Sequence, residues 1–259
     1  MDITDPFLKI AGRPTDAGSF VDVRLARPDK QNALPGETVD ALVDVFDAAA
    51  AGEADALVVS GDGENFCVGA DLADLASEAD EDPARIARRV QTLVDAVRSC
   101  PVPVVVSVHG RALGVGCHLC LGADVVVGAT SATWGFPEVA LDLPVTGYVV
   151  PLLTAQIGER RARDWLLTGR TVGAEEAEHA GFVTRVVPDD DRADAVEEYV
   201  DTFAANGKYT VSVLRERFAA GATTDLDSLR RSERRAFDRA FRDGTAGERI
   251  DAFRGGDQG

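Results

Sequence analysis

Four apolar, mostly β-branched runs punctuate the first half of the chain: FVDVRL at 20–25, ALVVSG at 56–61, VPVVVSV at 102–108 and DVVVGA at 124–129. A strand wetted on one face alternates apolar with polar residues. These runs scarcely alternate, so they are expected to be covered on both faces. Segments of helical period stand between them: GETVDALVDVFDAAA after a Pro-Gly start, PARIARRVQTLVDAVRSC before the third run, and an apolar stretch from Gly116 after it. Strands and helices in alternation imply an α/β domain. After VTRVVPDD the strand patterns stop and 191 to about 254 reads as helix. The chain therefore divides into an α/β core over 1–190 and a helical region over 191–259, expected to pack on the core or on a second copy. The acidic stretch ASEADEDP at 76–83 lacks periodicity and is predicted to be a mobile surface loop, and the terminal GGDQG to be disordered.

Charge narrows the function classes. Forty-four acidic against 27 basic residues give a formal net charge of −17, which repels nucleic acid and anionic membranes at long range and argues against either as the main partner. Lysine is rare (Lys9, Lys30 and Lys208) and aspartate abundant, a bias resembling that of proteins from cells with molar internal salt. Salt near 1 M shortens the Debye length to about 3 Å. Stability is therefore expected to fall as salt is lowered. A melting temperature unchanged between molar and dilute salt would contradict that. The four cysteines (Cys67, Cys100, Cys117, Cys120) lie in or beside apolar stretches with no signal-peptide pattern, as expected of reduced thiols in a cytoplasmic protein. No apolar run is long enough to cross a bilayer.

Glycine-rich turns follow strands twice, but neither cradles phosphate in a known pattern. In GDGENF the third glycine of GxGxxG is replaced by Phe66, in GVGCHL by Leu119, and neither GxxxxGK nor GxSxG occurs. A zinc site among His109, Cys117, His118 and Cys120 is disfavoured, because neighbours on a helix point about 100° apart. What remains are two junctions of similar design, CVGAD after ALVVSGDGENF and GVGCH after VPVVVSVHGRAL. Each frees the backbone to turn amides outward, and the second enters a helix whose N-terminus carries unpaired N–H groups and partial positive charge. Two such amides facing one point would hold a developing oxyanion. Spacing by itself does not show that they converge.

In these segments the chain resembles the crotonase, or enoyl-CoA hydratase/isomerase, family: RPDKQNAL (27–34), ALVVSGDGENFCVGADL (56–72), PVPVVVSVHGRALGVGCHLCLGADVVVG (101–128), TWGFPEVAL (133–141) and RARDWLLTGRTVGAEEAEHAGFVTRVVP (161–188). The resemblance implies a crotonase-like spiral of ββα units with a C-terminal helical region that drives assembly into a trimer or dimer of trimers. It implies an acyl thioester of coenzyme A as substrate, with no metal and no cofactor beyond the CoA that the substrate carries. It places the two oxyanion amides on Ala70 and Val115, where valine stands at a position often glycine, supplies the needed N–H and narrows the pocket. It assigns Arg27, Lys30, Ala33, Gly69, Asp71, Leu72 and Gly114 to the lining of the CoA site, with Arg27 and Lys30 offsetting the repulsion of CoA phosphates by an acidic protein, unless they are simply solvated cations.

The acid/base residues decide the reaction. The family's hydratases use two glutamates about a water, one at the position held here by His118 and one in an FPE-type motif, here Glu138. One carboxylate remains. A lone glutamate is the arrangement of the family's 3-enoyl to 2-enoyl isomerases, and the segment after it, VALDLPVTGYVVPLL, lacks the glycine-rich turn common in hydratases. His118, near a helix N-terminus whose field disfavours its charging, is expected to line the acyl pocket by packing rather than to carry a proton. Three readings stay open: an isomerase working through Glu138, a hydratase in which neutral His118 positions water for Glu138, and a non-catalytic acyl-CoA-binding member.

Overall fold

The structure, a computed structural model, describes residues 3–49, 54–206 and 208–221 and positions 234, 238, 241, 242, 247, 250 and 251. Six strands form the main sheet in the order β1-β2-β3-β4-β6-β9: β1 (Leu8–Pro14), β2 (Ser19–Leu25), β3 (Ala56–Gly61), β4 (Val104–Val108), β6 (Val125–Ala129) and β9 (Arg185–Val187). Within this sheet, among the described residues, β1 and β2 alone pair antiparallel; Leu57 opposite Val104 and Val105 opposite Val125 set the parallel register of the centre. The four apolar runs are β2, β3, β4 and β6, and β4 and β6 are buried at every position. β1 reads LKIAGRP, lies on the edge and is mostly exposed, so it carries no apolar signal to find. A second small sheet joins β5 (Arg111–Leu113), β7 (Thr133–Gly135) and β8 (Val172–Gly173), strands too short to show any period.

Helices α1 (Gly36–Ala48) and α3 (Pro83–Ser99) cover one face of the main sheet. Helix α3 starts with Pro83 in its first turn and the Asp82 carboxylate accepting from Ala84 N at 3.1 Å. Its buried residues Ile86, Val90, Leu93, Val94 and Val97 keep the spacing of one helical face. Each such side chain contributes about 1.5–3 kcal/mol of burial. The other face is covered by α8 (Arg192–Ala205), whose Val196 and Val200 pack with Phe20, Val58, Val105 and Val127. Helix α9 (Lys208–Gly221) is tied down by Arg215, which donates to Cys100 O at 2.7 Å and Val97 O at 2.9 Å and so satisfies carbonyls where α3 ends. The expected helical region beyond 221 and the expected terminal disorder lie largely or wholly outside the described residues.

One expectation is overturned. The stretch 76–83 is no loop: residues 72–81 form α2 (Leu72–Glu81), and Asp82 alone separates it from α3. The Asp71 carboxylate caps its start, accepting from Ala73 N at 2.9 Å and Asp74 N at 3.3 Å. Leu75 and Ala79, one turn apart, are buried with Ile86 and Leu143, and Glu78 pairs with the buried Arg89 of α3, which also holds Asp40 of α1. Two apolar positions in three turns give too little periodicity to read, and the helix is secured by partners distant in sequence.

Candidate active site

The two glycine-bearing junctions run side by side because backbone hydrogen bonds zip them together. Phe66 N donates to His109 O at 3.0 Å, Cys67 N to Arg111 O at 3.0 Å, and Leu113 N back to Cys67 O at 2.9 Å. Gly69 and Gly114 are thereby brought into contact. A Cβ on Gly114 would lie 3.6 Å from Gly69 Cα, and one on Gly69 would lie 3.3 Å from Leu113 O. Both have positive φ, +112° at Gly69 and +49° at Gly114, which a side chain would strain.

Neighbouring bonds orient the amides. Leu34 N donates to Gly69 O and Asp71 N donates to Leu34 O, each at 2.9 Å, in a parallel bridge that leaves the N–H of Ala70 pointing away from Leu34. Val115 opens helix α4 (Val115–Gly122), where the first N–H groups have no partner in their own helix. Among the described residues, no acceptor takes the N–H of Ala70 or of Val115. The field of α4 adds positive potential at Val115.

The third participant arrives from elsewhere. Residues 137–141 form a 3₁₀ turn (Pro137–Leu141) after β7, and the Glu138 carboxylate reaches the junction, with Oε1 3.5 Å from the position of a Gly114 Cβ. Residue 138 as a whole keeps some solvent contact, but its Oε2 is enclosed and has no hydrogen-bond partner. Burial without a compensating cation raises its pKa from 4.5 to about 7. An enclosed carboxyl group poised to gain or lose a proton thus stands beside two outward-turned amides.

His118 lies in the fourth position of α4 and is buried on all sides. Its Nδ1 is 2.7 Å from Gly114 O and its Nε2 3.2 Å from Thr146 O. The Phe136 ring meets it edge-on at 5.8 Å, and a Cβ on Gly147 would come within 2.7 Å of its Cδ2. Burial holds its pKa below the ordinary histidine value, against the opposing pull of the two carbonyls. No local pattern announces the contacts from Thr146 and Gly147 beyond the glycine in VTGY. Cys117, the residue before it in the helix, donates to Ala112 O at 2.9 Å and accepts from Gly135 N at 3.3 Å, and burial keeps its thiol protonated. It pins α4 to β5 and β7 of the small sheet.

The residues assigned to the CoA site divide. Arg27 donates to Asp71 at 2.6 Å and to Ala33 O at 3.0 Å, and its guanidinium lies 4.7 Å over the Phe7 ring. Burial pushes the Asp71 carboxyl up, but the Arg27 hydrogen bond and two helix amides outweigh it, and the carboxyl stays below its usual range. Arg27, Ala33 and Asp71 therefore brace the start of α2 (Leu72 onward) beside Gly69. Lys30, at the end of a 3₁₀ turn, is exposed. The other glycine-bound histidine, His109, contacts Gly63 O at 2.8 Å and is not part of this cluster. Among the described residues no group of His, Cys, Asp and Glu has the disposition of a metal site.

The chain matches the model of the family described as enoyl-CoA hydratase/isomerase over residues 15–255. It is 34% identical over 206 residues to a protein of Rhodobacter capsulatus named probable enoyl-CoA hydratase, covering 79% of each chain. It is 33% identical over 238 residues to probable enoyl-CoA hydratase echA8 of Mycobacterium tuberculosis, covering 89% of this chain and 90% of that one. The crystal structure of an enoyl-CoA hydratase from Mycobacterium avium subsp. paratuberculosis superposes with a TM-score of 0.84 over 96% of this chain and 99% of that one; at 24% identity this likeness concerns the fold.

Proposed function

Because this chain belongs to the enoyl-CoA hydratase/isomerase family, we propose that it binds an enoyl-CoA thioester and moves the double bond from the 3- to the 2-position with Glu138 as the only acid/base group. The observation that carries this reading is the contrast between positions 138 and 118. Glu138 presents an enclosed carboxyl whose Oε2 has no partner, whereas both ring nitrogens of His118 are turned to backbone carbonyls. A buried ring with a carbonyl oxygen against each nitrogen has no place for a water to activate.

The reaction follows from the geometry. The thioester oxygen sits between the N–H groups of Ala70 and Val115, which bind it more strongly as negative charge builds there. The Glu138 carboxylate takes a proton from the α-carbon of the 3-enoyl group, and the electrons of that bond form a dienolate whose charge rests on the thioester oxygen. Glu138 returns the proton at the γ-carbon, leaving the conjugated 2-enoyl thioester. These steps ask for proton transfer and charge stabilisation alone, so CoA enters as part of the substrate and no further cofactor is assigned. Lys30 is placed to meet CoA phosphate charge, while Arg27 acts through Asp71. Assembly as a homotrimer or dimer of trimers would give the exposed apolar side chains of Leu167 in α6 (Glu159–Thr168) and of Leu214 and Phe218 in α9 a surface to pack against.

The names of the relatives favour hydration as the second reading. Incubation in molar salt with 2-enoyl-CoA and 3-enoyl-CoA separates the two. Hydration removes the absorbance of the conjugated thioester and isomerisation creates it; neither change would identify a non-catalytic binder. The same assay yields a pH prediction. Glu138 must be ionised to take the first proton, and burial sets that step near pH 7. The isomerisation kcat/KM should therefore rise with pH through about 7, and a flat profile between about pH 6 and 8.5 would remove Glu138 as the base.

A further inference from the structure

The ring of His118 is enclosed by four groups, and its contact with one of them acts on a peptide that matters. Gly114 O accepts from His118 Nδ1 at 2.7 Å and from the backbone His118 N at 3.0 Å. That carbonyl belongs to the same planar amide as the N–H of Val115. We propose that His118 is a positioning residue for the oxyanion hole: its Nδ1–H fixes and polarises the Gly114–Val115 peptide so that the Val115 N–H is a stronger, better-aimed donor. This inference rests on the reading that the thioester oxygen binds at Val115.

Three observations carry it. First, Gly114, at φ +49° and ψ −114°, has no side chain to hold its peptide plane, so the orientation of the amide must be fixed by hydrogen bonds. Second, His118 cannot swing away: Phe136 lies edge-on, Gly147 leaves no space beyond Cδ2, and Nε2 faces Thr146 O. Third, a buried neutral imidazole has one N–H to give and two carbonyls before it. The shorter contact, to Gly114 O, takes the proton. A hydrogen bond accepted at one end of an amide strengthens the donor at the other, because successive bonds polarise one another. A side chain that merely filled the space would need no polar atom, and burying one without a partner costs about 1–3 kcal/mol.

The test uses crotonyl-CoA with a ¹³C-labelled thioester carbonyl and infrared difference spectra of the bound ligand. Wild-type protein should lower the carbonyl stretch relative to free ligand. His118→Leu removes the donor and should lose a large part of that shift, with kcat on enoyl-CoA falling on the order of 10-fold and KM nearly unchanged. That is less than the roughly 10²- to 10³-fold cost of deleting an oxyanion donor outright. His118→Asn, whose amide nitrogen stands where Nδ1 stood, should restore both. Should the leucine variant fail to fold, His118→Gln takes its place, since its amide lies at the Nε2 position and serves Thr146 rather than Gly114. Loss of the shift in Leu or Gln with recovery in Asn supports the proposal. An undiminished shift in Leu, or equal behaviour of Asn and Gln, overturns it. If wild-type protein binds crotonyl-CoA without lowering the carbonyl stretch, the oxyanion reading fails and this proposal falls with it; an intact wild-type shift that persists in Leu sinks the histidine role alone.

Discussion

Replacing Glu138 with Gln is expected to lower turnover of the enoyl-CoA substrate by roughly 10²- to 10⁴-fold, the range for loss of a general acid/base, with ligand binding retained. The amide keeps the shape of the side chain and cannot exchange a proton. Substituting His118→Ala should cost far less, because the proton does not pass through the imidazole. The reverse order, with the histidine variant inactive and the glutamine variant active, would transfer the chemistry to His118. The same substitution should change stability in a pH-dependent way. Burial raises the folded-state pKa from 4.5 to about 7, so between those values the folded protein holds a proton that the unfolded chain has lost. Ionising Glu138 then costs folding free energy, fully above about pH 7 and not at all below the unfolded value. Glu138→Gln should accordingly gain on the order of 1–3 kcal/mol at pH 8 and nothing near pH 4. Denaturant midpoints at the two pH values check this, and a glutamine variant less stable than wild type at pH 8 would contradict the cost assigned to the buried carboxylate.

The second large effect concerns a backbone atom. Val115 is the first residue of α4, a position where proline is tolerated because its fixed φ suits a helix start and the N–H it lacks is one the helix does not use. Val115→Pro therefore deletes the proposed oxyanion donor while leaving α4 its other bonds, and it retains a small apolar side chain at a buried site. The expected loss is roughly 10²- to 10³-fold in kcat, or more where the ring crowds the thioester oxygen. Circular dichroism and a melting curve close to wild type would show that the fold survives. A folded proline variant with near wild-type kcat would mean that Val115 N–H does not hold the oxygen.

Much of this fold and part of its site could be read from local sequence. The β-branched runs at 56–61, 104–108 and 125–129 specify strands because burial on both faces leaves no polar alternation, and their observed pairing at the sheet centre meets that demand. The turn residues Gly69 and Gly114 announce themselves because positive φ is a property of a single residue and is written locally. Glu138, the one glutamate in an apolar turn, was likewise visible as a candidate. By contrast, α2 was hidden, since its stability comes from Asp71 at its start, Arg89 in the next helix and Leu143 far along the chain. For Arg27, charge alone is legible; its pairing at 2.6 Å with a carboxylate 44 residues later is not, because no local pattern announces that partner.

What the sequence determined by itself, then, is the kind of element each segment becomes and the kind of chemistry each side chain can offer, because dihedral preference, apolar period and acidity belong to residues and their near neighbours. Only the tertiary structure decided that Gly69, Gly114 and Glu138 meet at one point and that both nitrogens of His118 turn from the chemistry toward Gly114 O and Thr146 O. Those distances depend on parallel strand register and on the hydrogen bonds between the 66–67 and 109–113 segments, and such pairings are fixed by the packing of the whole core.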